Sequence, residues 1–140
     1  MECRVSWLGK DGMVFSAETG SGHLVNMDGA PEAGGRNLAP RPMELLLAGA
    51  GGCSAFDVVL NLQKARQAIS GCEVALQAER ASEDPKVFTK INLHFIVKGK
   101  DLDQAKVDRA VKLSHEKYCS ATTMLAKTAE LTYSVEIISE

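Results

Sequence analysis

The chain has 140 residues and a formal net charge of −2, and 45% of its residues are hydrophobic and 24% charged. This length predicts one domain that buries roughly two-thirds of the surface exposed by its unfolded chain. The lysines and arginines form no block, so the electrostatic signature of nucleic-acid binding is missing. No apolar run approaches the roughly 18 residues of a membrane helix, and the charged start MECRVSWLGKDG lacks a signal-peptide core. We therefore expect a cytoplasmic protein that binds neither nucleic acid nor membrane.

The N-terminal segments predict short strands. CRVSWL, MVFSAE and HLVNM alternate between apolar and polar residues, and the turn-forming stretches GKDG and ETGSG separate them. This pattern predicts a three-stranded β-meander over residues 1–27. The glycine- and proline-rich residues 28–41 predict a loop that crosses from one layer to another.

A long helix is predicted over residues 42–68. Pro42 suits the first helical turn, and Glu44 suits the positive end of the helix dipole. The first part, MELLLAGAGGCSAFDVVLNL, has no polar stripe, so the helix must be covered on all sides. A second copy of the chain covers it more easily than a few short strands do. We therefore expect an obligate two-fold homodimer in which Gly49 and Gly52 permit a close helix crossing.

The remaining residues, 72–140, predict a β-hairpin, two helices and a final strand. CEVALQAERA and VFTKINLHFIV alternate on either side of a turn at residues 82–86. Asp101 and Gln104 form a capping-box pattern for a helix that reaches about Tyr118, and Ser120 is the expected cap of a short third helix. LTYSVEII closes the chain as a strand. Strands that occur in blocks indicate an α+β fold with antiparallel pairing, in a single domain of residues 1–140.

The four cysteines do not have the spacing of a metal site. Neither C-x-x-C nor H-x-x-x-H occurs, so no zinc or other metal is expected. Cys3 and Cys72 occupy inward strand positions and are interpreted as core residues. Cys53 lies among small residues that allow a close approach. Cys119 lies just before the third helix, where backbone N–H groups favour a thiolate, so it is predicted to be the more acidic of the two.

Two motifs resemble the OsmC/Ohr family. They are RPMELLLAGAGGCSAFDVV and HEKYCSATTML, whose cysteines lie 66 positions apart. The resemblance covers the whole chain and is closest to the YhfA-like branch. It implies an α+β, OsmC-like fold in which antiparallel sheets wrap around the long central helices of an intertwined homodimer. It also implies reduction of small organic hydroperoxides, with Cys53 as peroxidatic and Cys119 as resolving cysteine, a dithiol reductant and no cofactor.

This chain departs from the family pattern at the start of the long helix. The family places a glutamate directly after the helix-start proline, where it pairs with an arginine that activates the thiolate. Here Met43 takes that position and Glu44 follows it. Because a helix turns about 100° per residue, Glu44 lies about 180° from Cys53 around a regular helix. Glu44 therefore cannot simply replace the family glutamate.

Other residues are candidates for a supporting role, namely Glu44, Arg36, Arg41 and His115. Arg36 and Arg41 are also explained as solvated surface arginines, and Glu44 as a charge at a helix N-terminus. His115 lies one turn before Cys119. The sequence thus leaves two functions open. The first is a thiol peroxidase that forms a Cys53 sulfenic acid and then a Cys53–Cys119 disulfide. The alternative is a non-catalytic dimer that binds a small hydrophobic or thiol-reactive ligand at the subunit interface, since Met43 makes the site more apolar.

Overall fold

The computed structural model describes residues 1–140 and shows an α+β protein with two three-stranded sheets. The chain forms two compact units, Met1–Leu47 and Ala48–Glu140. Each unit contains one of the sheets, so the predicted α+β class is confirmed. The single domain predicted from the chain length stays a prediction.

The first unit contains the predicted meander. Strands β1 (Cys3–Trp7), β2 (Phe15–Thr19) and β3 (Leu24–Met27) pair antiparallel in chain order. The expectation that Cys3 is a core residue is wrong, because β1 is an edge strand whose five residues are all exposed.

The crossing loop is organised around one buried carboxylate. Asp28 is 1% exposed and accepts hydrogen bonds from the backbone N–H groups of Gly29, Arg36 and Leu38 at 2.7–3.1 Å. The bond from Leu38 contributes most to holding the pKa of Asp28 below its ordinary value, and burial opposes this effect. The loop therefore has a fixed centre, and it also contains a short 3-10 turn over Pro31–Ala33.

The long helix α1 runs over Pro42–Lys64 and ends earlier than the predicted residue 68. Arg66 adopts a left-handed backbone conformation with φ of 56°, which stops the helix, and strand β4 begins at Ala68. By length and hydropathy α1 meets the criterion for a membrane span, so the run-length argument against one does not hold for it. Core helices of globular proteins meet the same criterion, and the absence of a membrane partner stays a prediction.

The second unit has a mixed sheet in the order β4–β5–β6. Strand β4 (Ala68–Arg80) pairs antiparallel with β5 (Phe88–Lys100), as predicted. Strand β6 (Glu130–Ser139) pairs parallel with β5, so the expectation of purely antiparallel pairing is wrong. The helical segment between residues 104 and 125 carries the chain back to the end where β5 began, which is the crossover that parallel neighbours require. Four buried residues line the inner face of β5: Ile91, Leu93, Phe95 and Val97.

The helices after β5 begin one or two residues away from the predicted caps. Helix α2 (Gln104–Leu113) is capped by Asp103, whose carboxylate accepts from the backbone N–H groups of Ala105 and Lys106, and not by Asp101. A π-helical turn over Ser114–Tyr118 follows. Helix α3 (Ser120–Leu125) is capped by Cys119, and not by Ser120, because the Cys119 sulfur accepts the N–H of Thr122.

One glycine of α1 has a clear packing role. A Cβ on Gly51 would lie 2.7 Å from Leu76 Cδ1 of β4, which is closer than real contacts allow. Gly49 and Gly52 are exposed, and a Cβ at either position would meet nothing within 4 Å. Gly51 therefore permits the close approach of α1 to β4, while the other two glycines belong to a face that the chain itself leaves open.

Candidate active site

Two elements of the second unit bring the candidate thiols together. Helix α1 carries Cys53 and, one turn later, Asp57, while Cys119 caps α3. The two Sγ atoms and one carboxylate oxygen of Asp57 all lie within 4.8 Å of one another. The fold thus joins Cys53 and Cys119, which are 66 positions apart in the chain.

Cys119 is the buried thiol, with 1% of its surface exposed. Its Sγ accepts a hydrogen bond from Ser54 Oγ at 3.3 Å and another from the backbone N–H of Thr122 at 3.4 Å. Burial opposes ionisation, but the bonds from Ser54, Thr122 and Cys53 together outweigh it and lower the pKa of Cys119. Cys119 is therefore the sulfur on which the site favours a negative charge.

Cys53 lies in a different environment and is partly exposed. Burial raises its pKa, and the negative charges of Cys119 and Asp57 raise it further, while a hydrogen bond from the backbone of Ala121 acts in the opposite direction. The order of acidity is the one predicted from the position of Cys119 before α3. Of the two thiols, Cys119 is therefore the one that loses its proton more readily.

Asp57 is held by a serine from the π-helical turn. Ser114 Oγ lies 3.2 Å from Asp57 Oδ2 and 3.4 Å from the Ser54 carbonyl oxygen, so its single proton is shared between two acceptors. Among residues 48–140, no lysine or arginine forms a salt bridge with Asp57. The carboxylate therefore adds negative charge beside the dithiol without a paired cation.

The sequence interpretation did not single out these neighbours of the thiols. Asp57 was detectable, because residues four apart share one face of a helix and Asp57 follows Cys53 at that spacing. Ser54, Ser114 and Thr122 had no comparable signal. Their roles depend on a π-helical turn and a cysteine cap, which the residue pattern does not reveal.

His115 lies in the same π-helical turn and is partly buried. Its ring packs against Tyr133 with a centroid distance of 4.9 Å and an interplanar angle of 52°. The two rings, with Ser54 and Thr122, line a narrow cleft beside the inner face of β5. The His115 ring thus lines a cleft next to Ser54 and Thr122. Its predicted role in supporting the chemistry of the thiols stays a prediction.

The other predicted supporting residues lie in the first unit. Glu44 accepts a hydrogen bond from the backbone N–H of Arg41 at 3.4 Å, and their side chains are 3.9 Å apart on the exposed surface. The Arg36 guanidinium lies against Gly12. The structure thus joins Arg41 and Glu44 at the start of α1, and the roles of all three residues toward Cys53 stay predictions.

The geometry and fold define an α+β protein with a paired, partly buried dithiol. A profile of the OsmC-like protein family matches residues 34–134. Protein YhfA of Escherichia coli (strain K12) is 52% identical over 139 residues, with 99% of each chain covered. A solved structure that is 49% identical covers 100% of both chains with a TM-score of 0.89. The chain therefore belongs to the OsmC-like family.

A more distant structure shares the fold. The organic hydroperoxide resistance protein OsmC from Legionella pneumophila has a TM-score of 0.67 and 17% sequence identity, with 97% of each chain covered. At that identity the similarity concerns the fold alone. It confirms the OsmC-like architecture expected from the two cysteine motifs.

Proposed function

We propose that this protein is a cytoplasmic thiol peroxidase that reduces small organic hydroperoxides without a bound cofactor. The observation that carries the proposal is the pairing of Cys53 and Cys119, whose sulfurs lie within 4.8 Å although the residues are far apart in sequence. Disulfide formation requires these two sulfurs to approach to about 2.05 Å. Family membership supports the proposal, since a relative with the same fold is named an organic hydroperoxide resistance protein.

Cys53 is the residue that meets the peroxide, because it is partly exposed whereas Cys119 is buried. The Cys53 sulfur attacks the terminal peroxide oxygen while its proton passes to the Cys119 thiolate. The O–O bond breaks, the alkoxide takes that proton and leaves as the alcohol, and Cys53 becomes a sulfenic acid. Cys119 is then again a thiolate beside an electrophilic sulfur.

The second step forms the disulfide. The Cys119 thiolate attacks the Cys53 sulfur, the S–O bond breaks, and hydroxide leaves as water after taking a proton from solvent. The site has thus lost two electrons, which reduce the peroxide to alcohol and water. A dithiol reductant restores both thiols by exchange. In this scheme the hydrogen bonds from Ser54 and Thr122 stabilise the Cys119 thiolate, which accepts the proton of Cys53.

Turnover of cumene or tert-butyl hydroperoxide with a dithiol reductant tests the proposal. We expect Cys53→Ser to abolish turnover and Cys119→Ser to accumulate the sulfenic acid, which a dimedone adduct identifies by mass spectrometry. Cys72→Ser is the matched control, because Cys72 is a partly buried thiol on β4 outside the cluster. Full turnover by Cys53→Ser contradicts the proposal.

A second candidate function is favoured by the raised pKa of Cys53. A thiol that stays protonated at neutral pH is a weak nucleophile, as expected of a non-catalytic dimer that binds a hydrophobic or thiol-reactive ligand between its subunits. The pH dependence of Cys53 alkylation separates the two functions. A reactive form that appears only well above neutral pH favours the binding function, and one that persists at neutral pH favours catalysis.

We also propose that the active form is a homodimer. Gly49, Gly52, Phe56 and Leu60 recur at helical spacing on the exposed face of α1, and Phe56 is 67% exposed. Burying an aromatic or aliphatic side chain contributes about 1.5–3 kcal/mol. Cys53 lies about 40° from Gly49 around the helix, at the edge of this face. A partner that covers the face therefore also encloses the peroxidatic thiol.

Analytical ultracentrifugation at micromolar concentration tests the assembly. Gly52→Leu has open space in one chain, so a loss of the dimer on this substitution would report a partner helix at that position. We expect the variant to dissociate and lose stability together. A folded wild-type species of about 15 kDa with no self-association contradicts the dimer.

A further inference from the structure

The carboxylate of Asp57 lies next to the two thiols, and all three side chains carry atoms that can bind a metal ion. A thiol from α1, a carboxylate one turn later and a thiol at the cap of α3 place three donor atoms within 4.8 Å of one another. A tetrahedral zinc ion with Zn–S near 2.3 Å and Zn–O near 2.1 Å holds such donors about 3.6–3.8 Å apart. Small side-chain rotations of Cys53, Asp57 and Cys119 close the remaining gap.

We propose that the reduced protein binds one thiophilic divalent cation, of the Zn²⁺ class, through Cys53, Cys119 and Asp57. This departs from the absence of a metal site expected from sequence spacing. The ligands come from two elements that are far apart in sequence, so they do not form a short spacing motif. The proposal does not rest on peroxidase activity, because it requires only that the three donors converge.

The donor atoms accept hydrogen bonds from neighbouring groups, as metal ligands commonly do. Ser54 Oγ and the N–H of Thr122 both donate to the Cys119 sulfur, and Ser114 Oγ donates to Asp57 Oδ2. Such outer hydrogen bonds orient metal ligands and stabilise their charged forms. The bond from Ser114 occupies one lone pair of Asp57 Oδ2, so the carboxylate keeps further lone pairs for a metal ion.

The donor set selects the kind of ion. Two thiolates favour zinc or cadmium over magnesium or calcium, which prefer all-oxygen sites. Three protein ligands leave a fourth tetrahedral position for water or another small ligand. Binding requires both thiols to lose their protons, so affinity rises with pH.

The redox state of the thiols controls the site. Each sulfur gives up one electron when the S–S bond forms, and a disulfide is no longer a thiolate ligand. Oxidation therefore releases the ion, and a bound ion in turn occupies the sulfur that meets the peroxide. One cluster thus alternates between a metal-bound reduced form and a metal-free oxidised form.

Calorimetry with Zn²⁺ and absorption spectroscopy with Co²⁺ test the site in the reduced full-length protein under anaerobic conditions. We expect one ion per chain, with a sulfur-to-cobalt charge-transfer band in the near ultraviolet. Cys53→Ser should abolish tight binding. Asp57→Asn should weaken binding at least tenfold while the band persists, and Cys72→Ser should bind as the wild type does.

Protection from alkylation gives a second measurement that needs no variant. Zn²⁺ should slow the labelling of Cys53 and leave that of the exposed Cys3 unchanged, as read by mass spectrometry. The proposal is overturned if the wild type binds Zn²⁺ no more tightly than Cys53→Ser, or if Zn²⁺ leaves Cys53 labelling unaltered. Peroxidase assays in the presence of a chelator are independent of this outcome, so each proposal can fail separately.

Discussion

Removal of the Ser54 hydroxyl perturbs the charge on Cys119 with little change in shape. The hydroxyl donates to the buried Cys119 sulfur at 3.3 Å, and a hydrogen bond to a charged group contributes about 1.5–3 kcal/mol. A loss of 1.36 kcal/mol of thiolate stabilisation lowers the acid dissociation constant tenfold. At a pH where Cys119 is mostly protonated in Ser54→Ala, its thiolate fraction should therefore fall by about 10- to 150-fold.

The rate of disulfide formation should fall by less than the thiolate fraction. A more basic thiolate is a better nucleophile, with a Brønsted coefficient of about 0.4–0.5, so part of the loss is recovered. In Ser54→Ala, the rate at which Cys119 attacks the Cys53 sulfenic acid should therefore fall by about four- to fifteenfold. At high pH, where both proteins carry a Cys119 thiolate, Ser54→Ala should be at least as fast as the wild type. The rate profile thus moves to higher pH and crosses that of the wild type.

A single-turnover experiment measures this step. The reduced protein is mixed with one equivalent of cumene hydroperoxide and quenched with dimedone, and the Cys53 adduct is followed by mass spectrometry across pH. Ser120→Ala is the matched control, because Ser120 is the exposed neighbour of Cys119 and donates no hydrogen bond to it. If Ser54→Ala folds normally and its pH profile superimposes on that of the wild type, the assigned role of the hydrogen bond is refuted.

Two further substitutions test the packing of each unit. Gly51→Val should destabilise the protein by about 1–3 kcal/mol in chemical denaturation, because overpacking forces Leu76 Cδ1 away from a Cβ that would lie 2.7 Å from it; unchanged stability contradicts the close approach. Asp28→Asn should lower the melting temperature at neutral pH, because the folded-state pKa of Asp28 is depressed. Its contribution is present above the ordinary aspartate pKa and is lost as pH falls through the lower folded value. The two proteins should therefore converge in stability in acid, and a difference that persists there contradicts the assignment.

Much of the architecture follows from residue patterns. The alternation in the three N-terminal segments predicts the meander, and the apolar run after Pro42 predicts α1, because both patterns reflect which faces are buried. The residue pattern extends α1 four residues too far, because the side chain of Arg66 gives no signal of its left-handed backbone conformation. The parallel pairing of β6 with β5 was also missed. The path of a crossover depends on packing, and block order alone does not determine it.

The site was only partly predictable for the same reason. Local context placed Cys119 before a helix and made it the more acidic thiol, which is the order that the hydrogen bonds from Ser54 and Thr122 support. The cap itself was assigned to Ser120, because serine is the common capping residue and a cysteine sulfur is not. The sequence alone does not distinguish Asp57 from a charge on a solvated helix face. Only the position of α3 shows that this carboxylate adjoins both thiols.

Under the proposed peroxidase function, the negative charge of the reduced site should limit which peroxides reach Cys53. Asp57 contributes a carboxylate and Cys119 is the favoured thiolate, and no cation among residues 48–140 forms a salt bridge with Asp57. Like charges in a partly buried site repel an anionic substrate. We therefore expect a higher kcat/KM for neutral cumene hydroperoxide than for a fatty-acid hydroperoxide whose carboxylate lies close to the peroxide. Added salt should narrow the difference by screening, and Asp57→Asn should narrow it without salt. Equal rates for both substrates at low salt would contradict the assigned effect of this negative charge.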